Sequence, residues 1–149
     1  MTVEGSPTNT DLCNSLLISL DYEIFFGSAP GSIENCLIKP TEELVRVVDR
    51  YGAKLVLFVD AGFLLKLEQE AAVYPHLLHE YESIESQLSL LARSGHDIQL
   101  HIHPHWEDSY YDGVKWSLNT SRYRLHDFDS SSQESIVRSY KDILERVSK

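Results

Sequence analysis

Apolar residues gather in three short runs: Leu16 to Leu20, Leu55 to Val59, and Ile98 to His103, where Ile98, Leu100 and Ile102 alternate with polar neighbours. Runs of this length suit strands, the first two buried on both faces. Between them the spacing turns helical. From Thr41, Leu44, Val47, Val48 and Tyr51 fall on one face and Gly52 supplies the stop. Ala61 to Ala72 and Tyr81 to Ala92 read as two further helices, the latter with Tyr81, Ile84, Leu88 and Leu91 on one side and Gly95 beyond its end. A last helix opens at Ser131 through a Ser-x-x-Glu capping box with Glu134 and carries Ile136, Tyr140, Ile143 and Val147. Gly27, Pro30 and Gly31 mark a loop after the first run. Tyr110 to Phe128 is aromatic, charged and weakly periodic, a long excursion able to reach over a site. Strand and helix alternate throughout, which predicts an α/β fold of parallel strands joined by right-handed crossover helices.

Chemistry falls at the carboxyl ends of those strands, where sites of parallel sheets gather. Asp21-Tyr22-Glu23 follows the first run and Asp60 ends the second. The third leads into His101, His103 and His105, at every second position. Same-parity residues of a strand share a face, so the three imidazoles converge opposite Ile98, Leu100 and Ile102. Neutral imidazole is a common zinc ligand, and two or three with a carboxylate leave a coordination position open. The other use of such a face is plain solvation. His76 and His79, three apart, read as surface histidines, and His96, of opposite parity to His101, as a packing or hydrogen-bonding residue.

Composition narrows the function classes. The 149 residues are 42% hydrophobic and 24% charged, enough for one globular domain, 16–149, behind a flexible Ser, Thr and Asn-rich leader at 1–15. The net charge of −10 has no basic stripe against it, so nucleic acid is not an expected partner. No apolar run approaches the roughly 18 residues of a membrane span, and the start has no signal-peptide pattern, so no membrane association and a cytoplasmic location are expected. Cys13 and Cys36 are read as free thiols.

With these residues assembled, the chain resembles the polysaccharide deacetylases, the NodB-type catalytic domain of carbohydrate esterase family four. The family's apolar strand ending in Thr-Phe-Asp-Asp-Gly is similar to Ser19-Leu20-Asp21-Tyr22-Glu23, in the Asp-x-Glu form of divergent members. Its Thr-Phe-Phe-Val strand is similar to Leu57-Phe58-Val59-Asp60, and its Gly-His-Glu-Ile-x-x-His-x-x-x-His motif to Gly95 through His105. The resemblance implies a metal-dependent hydrolase removing an acetyl group from an N-acylated sugar, with a divalent ion, zinc foremost, as cofactor and an acylated carbohydrate as partner. His101 and His105 would be its ligands with Asp21, and His103 would lie between them as a further candidate. Asp21 and Glu23 would divide the roles of ligand and base, with Asp60 in reserve for either. Tyr22 and Trp106 stand beside these motifs as expected substrate contacts. Tyr110, Tyr111, Trp116 and Tyr123 offer either a sugar-stacking wall or the packing of a loop.

The resemblance runs from Leu16 to about Trp106, and the family's later motifs are missing. Three strands cannot close a (β/α) barrel, which takes about 250 residues at eight strands. The chain therefore reads as the amino-terminal part of a larger barrel domain, a partial barrel with an uncovered strand edge that invites self-association. Two other functions stay open: a non-catalytic metal-binding or sugar-binding remnant, and a hydrolase of a non-sugar amide.

Overall fold

The computed structural model describes residues 16–25 and 31–149. The expected leader at 1–15, Cys13, and Gly27 and Pro30 of the expected loop lie outside the described residues. Three strands, β1 (Ile18–Tyr22), β2 (Leu55–Asp60) and β3 (Asp97–His101), form a parallel sheet in the order β1-β2-β3. Helices α1 (Lys39–Asp49), α2 (Ala61–Ala71) and α3 (His76–Arg93) connect them, and α4 (Ser130–Val147) follows. The chain is thus α/β with crossover helices, and among the described residues the three-stranded sheet does not close into a barrel. None of the described helices is long and apolar enough to cross a membrane.

Register separates the two faces of this sheet. Ile18, Leu20 and Tyr22 align with Leu55, Leu57 and Val59, and Leu57 and Val59 align with Ile98 and Leu100. This face is the core side: Leu55, Leu57 and Val59 have no exposed surface. The Tyr22 hydroxyl donates to Gln87 Oε1 of α3 at 2.8 Å, and Gln87 Nε2 donates onward to the Ile38 carbonyl at 3.0 Å. On the opposite face Asp21 aligns with Phe58 and Gln99, and Asp60 with His101. There Ser19, Asp21, Asp97 and Gln99 are exposed, and Val56 and Phe58 are half-buried and stand outside the core cluster.

Four boundaries differ from the sequence reading, each for a local reason. β1 starts at Ile18 rather than Leu16, because Ile18 is the first residue with a partner on β2; Leu16 and Leu17 are 84% and 73% exposed. A π-helical turn, Glu34–Ile38, precedes α1, and Pro40, with no N–H to give the turn before it, sits at the junction. α3 begins five residues before Tyr81, since buried Leu77 extends its apolar stripe by one turn. α4 is capped by Asp129 and not by a Ser131 capping box: the Asp129 carboxylate accepts from Ser132 N at 3.0 Å, and Glu134 instead pairs with Arg138. Gly52 and Gly95 both adopt positive φ, 63° and 86°, and turn the chain from α1 and α3 into the next strand.

The excursion after β3 contains a two-stranded antiparallel hairpin, β4 (Tyr110–Tyr111) with β5 (Trp116–Ser117). Asp112 Oδ1 shapes its turn by accepting from Val114 N and Lys115 N. Trp116 packs edge-on against Phe63 and Trp106 and tilted against Tyr111, so one part of its ring serves the packing of the loop.

Candidate metal centre

Glu23, one residue past the end of β1, keeps the strand's alternation and shares a face with Asp21. From β3 the same face carries His101, and His103 follows two residues on, just before the Pro104 turn. Glu23 Oε2 lies 2.7 Å from His103 Nε2 and 3.3 Å from His101 Nε2. The two imidazoles meet edge to face at 4.4 Å. Among the described residues these three can bring one ligand atom each within 4.8 Å of one another. Two ring nitrogens directed at one carboxylate oxygen make a donor set of the kind that holds a divalent ion. Burial lowers the His103 pKa and favours the neutral ring that a metal needs, against the opposing pull of the Glu23 carboxylate.

This grouping differs from the one expected. The His101 and His105 pair with Asp21 is not what the structure draws together, and the cause is Pro104. β3 has no partner on β2 beyond His101, because β2 ends at Asp60, and Pro104 then starts a 3-10 turn, Pro104–Asp108. The turn carries His105 out of alternation and into the interior, where it is fully buried. Its ring stacks on Tyr123 at 5.8 Å and lies 5.1 Å from Trp106. Burial pushes its pKa down to about 4. Asp21 remains exposed on the open face, close enough for its charge to act on His103. A proline after His103 was the sequence signal that the alternation ends there.

Asp60 is an anchor. It caps α2, with Oδ1 accepting from Phe63 N at 3.2 Å, while Oδ2 accepts from Trp106 Nε1 at 2.6 Å. Burial raises its pKa to about 7 against the pull of these hydrogen bonds. With both oxygens engaged, it ties the turn that carries His103 and His105 to the end of the sheet. Gly62 permits the fit: a Cβ there would stand 2.7 Å from the Tyr140 hydroxyl and 2.9 Å from Trp106 Cδ1. A helix cap is an ordinary use of a strand-end carboxylate, but neither the bond to Trp106 nor this close approach was legible before the structure.

Tyr22 and Trp106, expected against a substrate, are 3% and 2% exposed and belong to the core. Tyr22 has core parity, and Trp106 is drawn inward by Asp60. Tyr123 is the aromatic residue of the excursion that does reach the site, lying 5.9 Å from the His103 ring. Arg122 steadies it, with Nε donating to Asp108 Oδ2 at 2.8 Å and its guanidinium 4.0 Å above Phe128. His96 behaves as expected of a hydrogen-bonding residue, its Nδ1 accepting from Leu55 N at 3.1 Å. His76 contacts the Tyr111 hydroxyl at 3.0 Å, apart from the cluster. Compared with family models, curated proteins and solved structures, the chain matches none of them.

Proposed function

We propose that this chain is a metal-dependent hydrolase that holds one divalent ion, zinc foremost, through Glu23, His101 and His103, and removes an acyl group from an N-acylated sugar. The observation that carries this reading is the convergence of the three ligand atoms at the carboxyl rim of a parallel sheet. The sugar rests on the resemblance of the motifs to the polysaccharide deacetylases. An ion in this site would supply Lewis acidity to an acyl carbonyl and to a water, both unreactive toward each other at neutral pH. The carboxylate roles are the reverse of the expected ones, which gave the ion's carboxylate to Asp21: Glu23 ligates, and Asp21 is the base. Asp21 projects from the same face, is open to solvent and is close enough to act electrostatically on His103, which suits it to take a proton from water. Asp60 has no oxygen to spare for that work and holds the histidine turn in place.

One observation favours a second reading, binding without turnover. Asp21 is the only one of the three expected carboxylates left outside a ligand or anchor role, and among the described residues nothing covers the open sheet face on that side. The same face, and the edges of β1 and β3 that no described residue pairs with, support self-association of the chain.

Metal analysis of protein purified without chelator, paired with acetate release from N-acetylglucosamine oligomers, tests the proposal. About one equivalent and measurable release are expected. His101→Ala should abolish both, while Asp21→Asn should keep the ion and lose release by about 100-fold or more. Bound metal with no release in any form would establish the binding-only reading. Release untouched by His101→Ala would refute the site.

A further inference from the structure

A cavity of about 330 Å³ is lined by Ile24 after β1, by Phe63 of α2, by Leu77 and Glu80 of α3, and by the β4–β5 hairpin. Its lining divides by chemistry. Phe63, Tyr111 and Trp116 supply aromatic surface, and Glu80, near the start of α3, supplies a carboxylate. Glu80 is half-buried and, among the described residues, is in no salt bridge; Lys115 also lines the cavity from the hairpin turn. The charges that act on it are those of His76 and His79, and desolvation raises its pKa. The Tyr111 hydroxyl lies within its field and is already engaged by His76 at 3.0 Å. A carboxylate beside aromatic faces, paired with no cation among the described residues, is a cation-recognition arrangement: the carboxylate pairs with an ammonium and the ring quadrupoles reinforce the attraction. Cavities of this size accept one small ring.

We propose that this cavity binds a small ring-bearing primary amine, its ammonium on Glu80 and its ring against Trp116. The site is independent of the metal centre, and none of its residues belongs to the Glu23, His101 and His103 group. An amine at this position replaces water on a partly desolvated carboxylate, so its neutral counterpart binds more weakly. The ring's place beside Trp116 makes binding visible, because the chain has only two tryptophans and the other, Trp106, is buried and does not line the cavity.

Nitrogen-15 NMR of the full chain, following both indole N–H signals, provides the test with two matched pairs of probes: glucosamine with glucose, and benzylamine with benzyl alcohol. At least one amine should bind and shift the Trp116 signal more than that of Trp106, with affinity about tenfold above its neutral partner. Glu80→Gln should remove that preference while its backbone spectrum shows the fold intact. Glu80→Asp, which keeps the charge, should retain part of it. His101→Ala should leave amine binding unchanged, so loss of the metal centre cannot be mistaken for loss of this site. Binding by neither amine, equal binding of the neutral partners, or a preference that survives Glu80→Gln would overturn the proposal.

Discussion

The two faces of the three-stranded sheet use the same backbone for opposite purposes. Leu57 and Val59 point into a packed core beneath helices, whereas Phe58 and Asp60, their immediate neighbours, belong to the face that carries Asp21, Glu23 and His101. On the first face apolar burial holds the fold, and on the second the strand ends hold polar side chains at fixed spacing. Separating the two jobs by parity lets the chemistry sit on a rigid element without placing charges in the core. Asp60 is the exception, a carboxylate on the chemical side that burial and two hydrogen bonds convert into structure.

Substitutions at adjacent positions of β2 test that division most strongly. Leu57→Ala should cost about 2 to 5 kcal/mol in urea denaturation, the usual range for a fully buried leucine. Phe58→Ala should cost less than half as much. Comparable losses at both positions would show that the second face is also core. If the open face drives self-association, Phe58→Ser should also lower the sedimentation coefficient at high protein concentration.

The anchor comes next in size. Asp60→Ala removes a helix cap and leaves the buried Trp106 N–H without its acceptor, for a loss of about 2 to 4 kcal/mol. Asp60→Asn should cost less, because it keeps an acceptor for the cap and relieves the burial of a charge. Gly62→Ala should cost about 1 to 3 kcal/mol by pressing on Trp106 and Tyr140, and should weaken metal binding although position 62 touches no ligand. A Gly62→Ala protein of unchanged affinity would mean that the histidine turn is not held through Trp106.

Far from either face, Arg146 on α4 forks onto the Glu68 carboxylate of α2, with Nη2 to Oε2 at 3.0 Å. The arginine holds the Glu68 pKa below the usual carboxylate range. Its contribution is therefore present above the unfolded glutamate pKa and fades as pH falls below about 4.3. Glu68→Gln should cost under about 1 kcal/mol at pH 7 and leave a flatter stability profile below pH 5, since the pair is largely solvated.

The strand and helix order, the Gly52 and Gly95 stops and the parity of Ile98 and Leu100 against His101 were all legible in the sequence, because they depend on local period and on glycine. What escaped depends on where partners end. β1 shifted because pairing begins at Leu55, α4 took Asp129 as its cap, and β3 stopped because β2 has nothing beyond Asp60 to pair with. The last of these moved the candidate site. An alternation extended through Pro104 groups three histidines, whereas the turn at Pro104 leaves two beside Glu23 and buries the third. The Asp60 to Trp106 bond joins residues 46 apart, a distance no spacing pattern spans.

Titration with cobalt(II), read from its visible absorption, addresses the central grouping most directly. Glu23, His101 and His103 should hold one equivalent, so Glu23→Gln and His103→Ala should each weaken binding by about tenfold or more, while Asp21→Asn leaves it unchanged. Loss of the ion in Asp21→Asn, with binding intact in Glu23→Gln and His103→Ala, would contradict the account and return the site to Asp21 and the His101 and His105 pair.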